Sequence, residues 1–110
     1  MIITLAGQDH VEQLLAGVAP VWILKHSNTC PTSAAALDEV ESFLSTHPDD
    51  VAGMVVVQLD RPLSNWIATR LGRVHQSPQL FLMQRGKVAW SASHWSITAA
   101  AMATERGRLV

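Results

Sequence analysis

Three short apolar runs stand out along the chain, at residues 21–24, 54–59 and 80–83. Each is too brief for a helix, is rich in strand formers and lacks the alternation of a half-exposed strand. All three therefore predict strands, the first buried on both faces and the second buried as well. A fourth strand is predicted over residues 88–90, with Arg85-Gly86 as a tight hairpin between it and its predecessor. Elsewhere the apolar positions recur at helical spacing. Val11, Leu14 and Leu15 mark a short helix over residues 10–16, with Asp9 and Glu12 at capping-box spacing and Gly17 at its stop. Ala34, Leu37, Val40 and Leu44 mark a second helix, opened by Pro31 and closed near His47-Pro48. A third begins at Pro62, carries Leu63, Trp66, Ile67 and Leu71 on one face, and stops at Gly72. Ser96 is placed to cap a last helix running to about Glu105.

The order is a helix followed by β-α-β-α-β-β-α. Two crossovers imply parallel strands first, and the hairpin adds antiparallel ones at the end. This predicts an α/β protein with a central mixed four-stranded sheet flanked by helices and an extra helix at the N-terminus. The thioredoxin-like fold is the most economical architecture of that description. Pro78, at the head of the third strand, stands where that fold carries a cis-proline, although sequence leaves the isomer open.

Length and composition narrow the function. A chain of 110 residues with 48% apolar residues is expected to form one domain with its own core. A net charge of −1 argues against a protein built to grip nucleic-acid phosphates. No secretory signal is evident, and no apolar run approaches the ~20 residues that span a bilayer, so neither a nucleic-acid nor a membrane partner is expected. One cysteine forms no internal disulfide and no Cys-rich metal site, which fits a reducing, cytoplasmic setting.

That cysteine, Cys30, sits directly after a buried strand and directly before a helix-opening proline. A helix N-terminus offers unpaired N–H groups and the positive end of the macrodipole, both of which favour thiolate over thiol. Lys25 and His26, just upstream, add cationic candidates. The bland alternative, a small buried hydrophobe, is the commoner fate of a lone cysteine. The strand-to-helix position followed by proline favours the reactive thiol.

The segment 25–33, reading Lys-His-Ser-Asn-Thr-Cys-Pro-Thr-Ser, resembles the active-site segment of the YtxJ-type monothiol bacilliredoxins. Residues 61–65, 75–79 and 93–95 match further blocks of that family in the same order, and the likeness runs from Ala19 to Thr98. Thr32 departs from the pattern, which has an apolar residue there, and is expected to tune thiol reactivity or substrate fit. The resemblance implies a thioredoxin-like fold and removal of bacillithiol from protein mixed disulfides. Bacillithiol is then a co-substrate, bacillithiolated proteins are the partners, and no bound cofactor is expected. Cys30 is the implied nucleophile, Thr29 and Pro31 shape its loop, and Pro78 is the cis-proline with the Ser77 backbone facing the substrate. With no second cysteine, resolution falls to an external thiol.

His75 and His94 are candidates for binding a carboxylate of the small thiol, against an even alternative of structural, half-exposed side chains. Arg61 is a further carboxylate partner, and Arg73 a weaker one. His10 and His47 read as helix-end surface residues. Trp22 and Trp66 read as packed, while Trp90 and Trp95 are candidates for a contact surface. Cys30 with His26 and His75 lacks any recognisable metal-ligand spacing, so no metal is expected. Two other functions fit the same chain: an iron–sulfur carrier sharing a cluster across a dimer, and a non-catalytic binding module of the same fold. No feature of the sequence sets an oligomeric state.

Overall fold

The computed structural model describes residues 1–109. Its elements run β1 (Ile2–Thr4), α1 (Gln8–Leu15), β2 (Val21–His26), α2 (Pro31–Thr46), β3 (Ala52–Val56), α3 (Arg61–Leu71), β4 (Gln79–Gln84), β5 (Lys87–Ser93), a 3-10 turn (His94–Ser96) and α4 (Ala99–Gly107). The strands form one five-stranded mixed sheet in the order β1-β3-β2-β4-β5. β1, β3 and β2 are parallel, with Trp22 beside Ala52 and His26 beside Val56. β4 runs antiparallel to both β2 and β5, with Lys25 beside Gln79 and Leu82 beside Trp90.

Alternation through the central strands divides the core. Trp22 and Leu24 of β2 with Leu80 and Leu82 of β4 face Ala36, Val40 and Phe43 of α2 and Met102 of α4. Ile23, Val55, Phe81 and Met83 face the other way, against Val11 and Leu15 of α1 and Leu63 and Ile67 of α3. Gly53 of β3 is bare for a reason: a Cβ there would come within 2.8 Å of the Leu5 and Leu14 side chains, which pack onto the sheet at that point. At the hairpin, Arg85 and Gly86 both take positive φ, 54° and 76°, as a two-residue primed turn requires.

The sheet corrects two expectations. It has five strands, not four, because residues 2–4 pair with β3 across Ile2–Ala52 and Thr4–Met54. A three-residue strand carries too little alternation to announce itself. The helix that follows is not an added element. α1 is the crossover joining β1 to β2, packed on the same face as α3. Local signals shift too. Gly7 precedes α1 with no side-chain cap, and Glu12 pairs instead with Arg70 of α3 at 2.6 Å. Thr98, not Ser96, caps α4 by accepting from Ala101 N at 3.1 Å, while Ser96 lies in the 3-10 turn. The apolar run of residues 54–59 leaves the sheet after Val56, where Leu59 and Asp60 N–H groups both donate to the Val56 carbonyl and turn the chain.

Candidate active site

Cys30 lies where β2 hands the chain to α2. It is the N-cap of α2, with extended backbone at φ −109° and ψ 123°, and Pro31 holds the first helical position. Its thiol is half-buried. The Cys30 side chain makes no cap hydrogen bond among the described residues, but the Ser33 N–H of the first turn is the largest influence on its acidity and lowers the pKa; burial opposes this, and the Thr32 N–H and the Thr32 and Ser33 hydroxyls lower it further. The net shift is downward, toward thiolate. Ser33 Oγ is buried and has no hydrogen-bond partner among the described residues. Thr32, expected to tune thiol reactivity or substrate fit, lies in the first turn of α2, where its amide and hydroxyl favour the thiolate.

The sheet topology brings the remaining candidates to the same end of the molecule. Cys30 follows the C-terminal end of β2, and β4 starts beside it because Lys25 registers with Gln79. The Ser77–Pro78 peptide is cis, with Pro78 buried. Ser77 is half-buried and its Oγ is buried without a partner among the described residues. Gln79, itself buried, holds the approach loop by accepting from Gln76 N and donating to the Val74 carbonyl, both at 3.1 Å. His94 closes the opposite flank: its N–H donates to the Pro78 carbonyl at 3.1 Å, and its backbone takes φ 54°. His94, Thr29, Pro31, His75 and Arg61 are all exposed.

Lys25 behaves differently from expectation. Its side chain is buried in full, and its Nζ lies 3.0 Å from His75 Nδ1. Its charge is directed at His75, and it does not figure among the influences on the sulfur. No carboxylate pairs with it among the described residues. Burial lowers its pKa to about 8. His75 is held below the ordinary imidazole value by burial first, then by the charges of Lys25 and Arg61, so at neutral pH the ring is uncharged. An ammonium only donates, hence Nδ1 accepts and the ring proton sits on Nε2. His26 is also lowered, by burial, against an opposing contact with the Ser33 backbone; its Nδ1 is buried and has no partner among the described residues.

Arg73 does not join this group. It lies beyond the C-terminal end of α3, in a shallow groove with Gly86 and Lys87 of the hairpin, at the far end of the sheet. Sequence reasoning also missed Gln58, whose side chain bonds to Ser27, Asn28 and Thr29; taken as part of the buried run 54–59, it lies instead past the end of β3, and a single polar residue in an apolar run gives no warning of that. Buried Ser33 was hidden for the same reason, since a serine in a first helical turn ordinarily faces water. Among the described residues, no group of three His, Cys, Asp or Glu side chains is placed to hold a metal ion, and no helix is long and apolar enough to cross a membrane.

The family model for monothiol bacilliredoxin BrxC matches residues 3–102. Among solved structures, the chain is 36% identical to one described as a proposed oxidoreductase with a thioredoxin fold, covering 94% of this chain and 92% of that one at a TM-score of 0.88. Mitochondrial thioredoxin 3 from Saccharomyces cerevisiae superposes with a TM-score of 0.77 at 16% identity, covering 98% and 95%. A thioredoxin variant from Halobacterium salinarum gives 0.76 at 17% identity, covering 99% and 93%. The last two likenesses establish the fold alone.

Proposed function

Because the chain belongs to the monothiol bacilliredoxin BrxC family of thiol–disulfide oxidoreductases, we propose that Cys30 removes bacillithiol from mixed disulfides on proteins. In this reading the whole chain works as one domain in the cytoplasm. The observation that carries it is the setting of the sulfur: one half-exposed thiol at the mouth of a 16-residue helix, with amides and hydroxyls of the first turn lowering its pKa.

The thiolate attacks the bacillithiol sulfur of a protein–S–S–bacillithiol adduct. A bond forms between Cys30 and that sulfur as the original S–S bond breaks. The electron pair leaves with the protein sulfur, which is protonated from solvent. Cys30 is then oxidised as its own bacillithiol mixed disulfide, and the protein thiol is reduced. The chain has no other cysteine, so the thiolate of a second small thiol attacks the bacillithiol sulfur of this disulfide, forming a disulfide between the two small thiols that departs as the Cys30–sulfur bond breaks and Cys30 leaves with the electron pair, restored as thiolate.

In the same reading Thr29 and Pro31 frame the nucleophile, and Pro78 with the Ser77 backbone lines the side on which the small thiol lies. The Arg61 guanidinium and the His75 Nε2–H supply donors for the malate carboxylates of bacillithiol, and His94 borders the opposite flank. Its support is the clustering of cationic and donor groups, without an ion-paired acid, beside the cis-proline loop. The test is to incubate a bacillithiolated protein with wild type and Cys30→Ala and follow intact masses. Wild type is expected to lose the adduct mass from the substrate and gain it on Cys30, and the variant to do neither. Turnover by Cys30→Ala would end the proposal.

A further inference from the structure

Gln58 lies just past β3, exposed, in the turn that leads to α3. Both ends of its amide are nevertheless engaged with another part of the chain. Its Oε1 accepts from the Asn28 N–H at 3.2 Å. Its Nε2 donates to Thr29 Oγ1 at 3.1 Å and to Ser27 Oγ. One side chain therefore binds the three consecutive residues that immediately precede Cys30. Ser27 Oγ and Thr29 Oγ1 also face each other at 3.5 Å, so the two hydroxyls and the amide form one cluster. One step earlier, the Val57 N–H donates to the His26 carbonyl at 2.8 Å and carries the ladder between β2 and β3 to the base of the loop.

An exposed glutamine gives up much of its rotamer freedom when held this way, so surface glutamines are not ordinarily so engaged. The loop it holds has few other constraints, since Asn28 and Thr29 are exposed and contribute nothing to the core. Downstream, the stabilising donors of Thr32 and Ser33 are fixed in α2. The favourable influence of helix-end donors falls off within the first turn. The position of the sulfur relative to those donors therefore depends on how the loop delivers Cys30 to the helix.

We propose that Gln58 is a positioning residue for Cys30: its amide clamps residues 27–29 and thereby aims the sulfur at the donors of the first turn of α2. The inference rests on the reading of Cys30 as the nucleophile. Among the described residues the Gln58 amide bonds to the loop and not to the sulfur. It acts only through the loop.

The test is the pH profile of Cys30 alkylation by iodoacetamide, measured on Gln58→Met, which keeps length and bulk but removes every hydrogen bond. The profile is expected to move to higher pH, with alkylation at pH 7 slowed about threefold or more as the thiolate fraction falls, while circular dichroism and the thermal midpoint stay close to wild type. The double variant Ser27→Ala, Thr29→Val breaks the clamp from the loop side and leaves Gln58 in place. It is expected to move the profile in the same direction. A profile unchanged in both variants would overturn the inference, as would a slower rate without any movement along the pH axis. The assay needs no bacillithiol, so loss of bacillithiol turnover in wild type would count against the function proposed above and leave this result standing.

Discussion

Lys25 places a cation where hydrocarbon would ordinarily be, fully out of water and, among the described residues, with the Nδ1 of His75 alone to receive its proton. Burial brings its pKa down to about 8. Between about pH 8 and the ordinary lysine value the unfolded chain therefore holds a proton that the folded chain has released, and stability rises with pH across that window. Below it the ammonium is buried with its charge, and the full penalty applies. Lys25→Met is expected to raise stability at pH 7 by on the order of 1 kcal/mol and to remove the rise. Urea midpoints at pH 7, 8, 9 and 10 read both effects, and a variant less stable than wild type at pH 7 would refute the account. Nothing in the sequence placed this amine against a histidine fifty residues on. Lys25 follows an apolar run and reads as the place where burial ends, whereas the register of β2 with β4 keeps it inside.

Elements were legible wherever local chemistry and tertiary packing agree. Pro31 and Pro62 open α2 and α3 because a missing N–H costs nothing at a first turn, and Gly72 ends α3 with φ 65° in the left-handed region. Cys30 at the start of α2 followed from that same reading. Where two neighbouring residues compete for one role, geometry decides. Ser96 and Thr98 both suit an N-cap, but the turn at His94 carries Ser96 into the 3-10 segment and leaves Thr98 to face the Ala101 amide. The adjacent Ala99 amide is taken by Glu39 of α2 at 2.9 Å, so two free donors of α4 are satisfied from different elements. Thr98→Ala is expected to cost about 1 kcal/mol, and Ser96→Ala no more than about 0.5 kcal/mol. Chemical denaturation of both variants checks the assignment, and equal losses would undo it.

Across the molecule, Asp50 ties together parts that share no secondary structure. Nearly buried, its carboxylate accepts from the Trp22 indole at 3.0 Å and from Arg106 of α4 at 2.9 and 3.2 Å. This network lies just ahead of β3, and so at the opposite end of the parallel strands from Cys30. Arg106→Ala would leave a buried carboxylate with the indole as its one charge-neutral partner, and is expected to cost about 2–3 kcal/mol. Urea unfolding should show that loss while the alkylation rate of Cys30 stays at the wild-type value. A changed rate would mean that the two ends are coupled. The thiol end was partly legible, since the blocks at residues 25–33, 75–79 and 93–95 all fall there. The end built on Asp50 was not, because a lone aspartate before a strand reads as a loop residue. At the thiol end Trp95 stands 71% exposed next to His94, whose amide holds the Pro78 carbonyl, whereas Trp22 is wholly enclosed and Trp66 and Trp90 are half-covered. The indole most open to water thus stands by the cis-proline loop, so emission collected at long wavelength, which weights the most solvated ring, becomes a built-in optical gauge of what rests against that loop, with no dye attached.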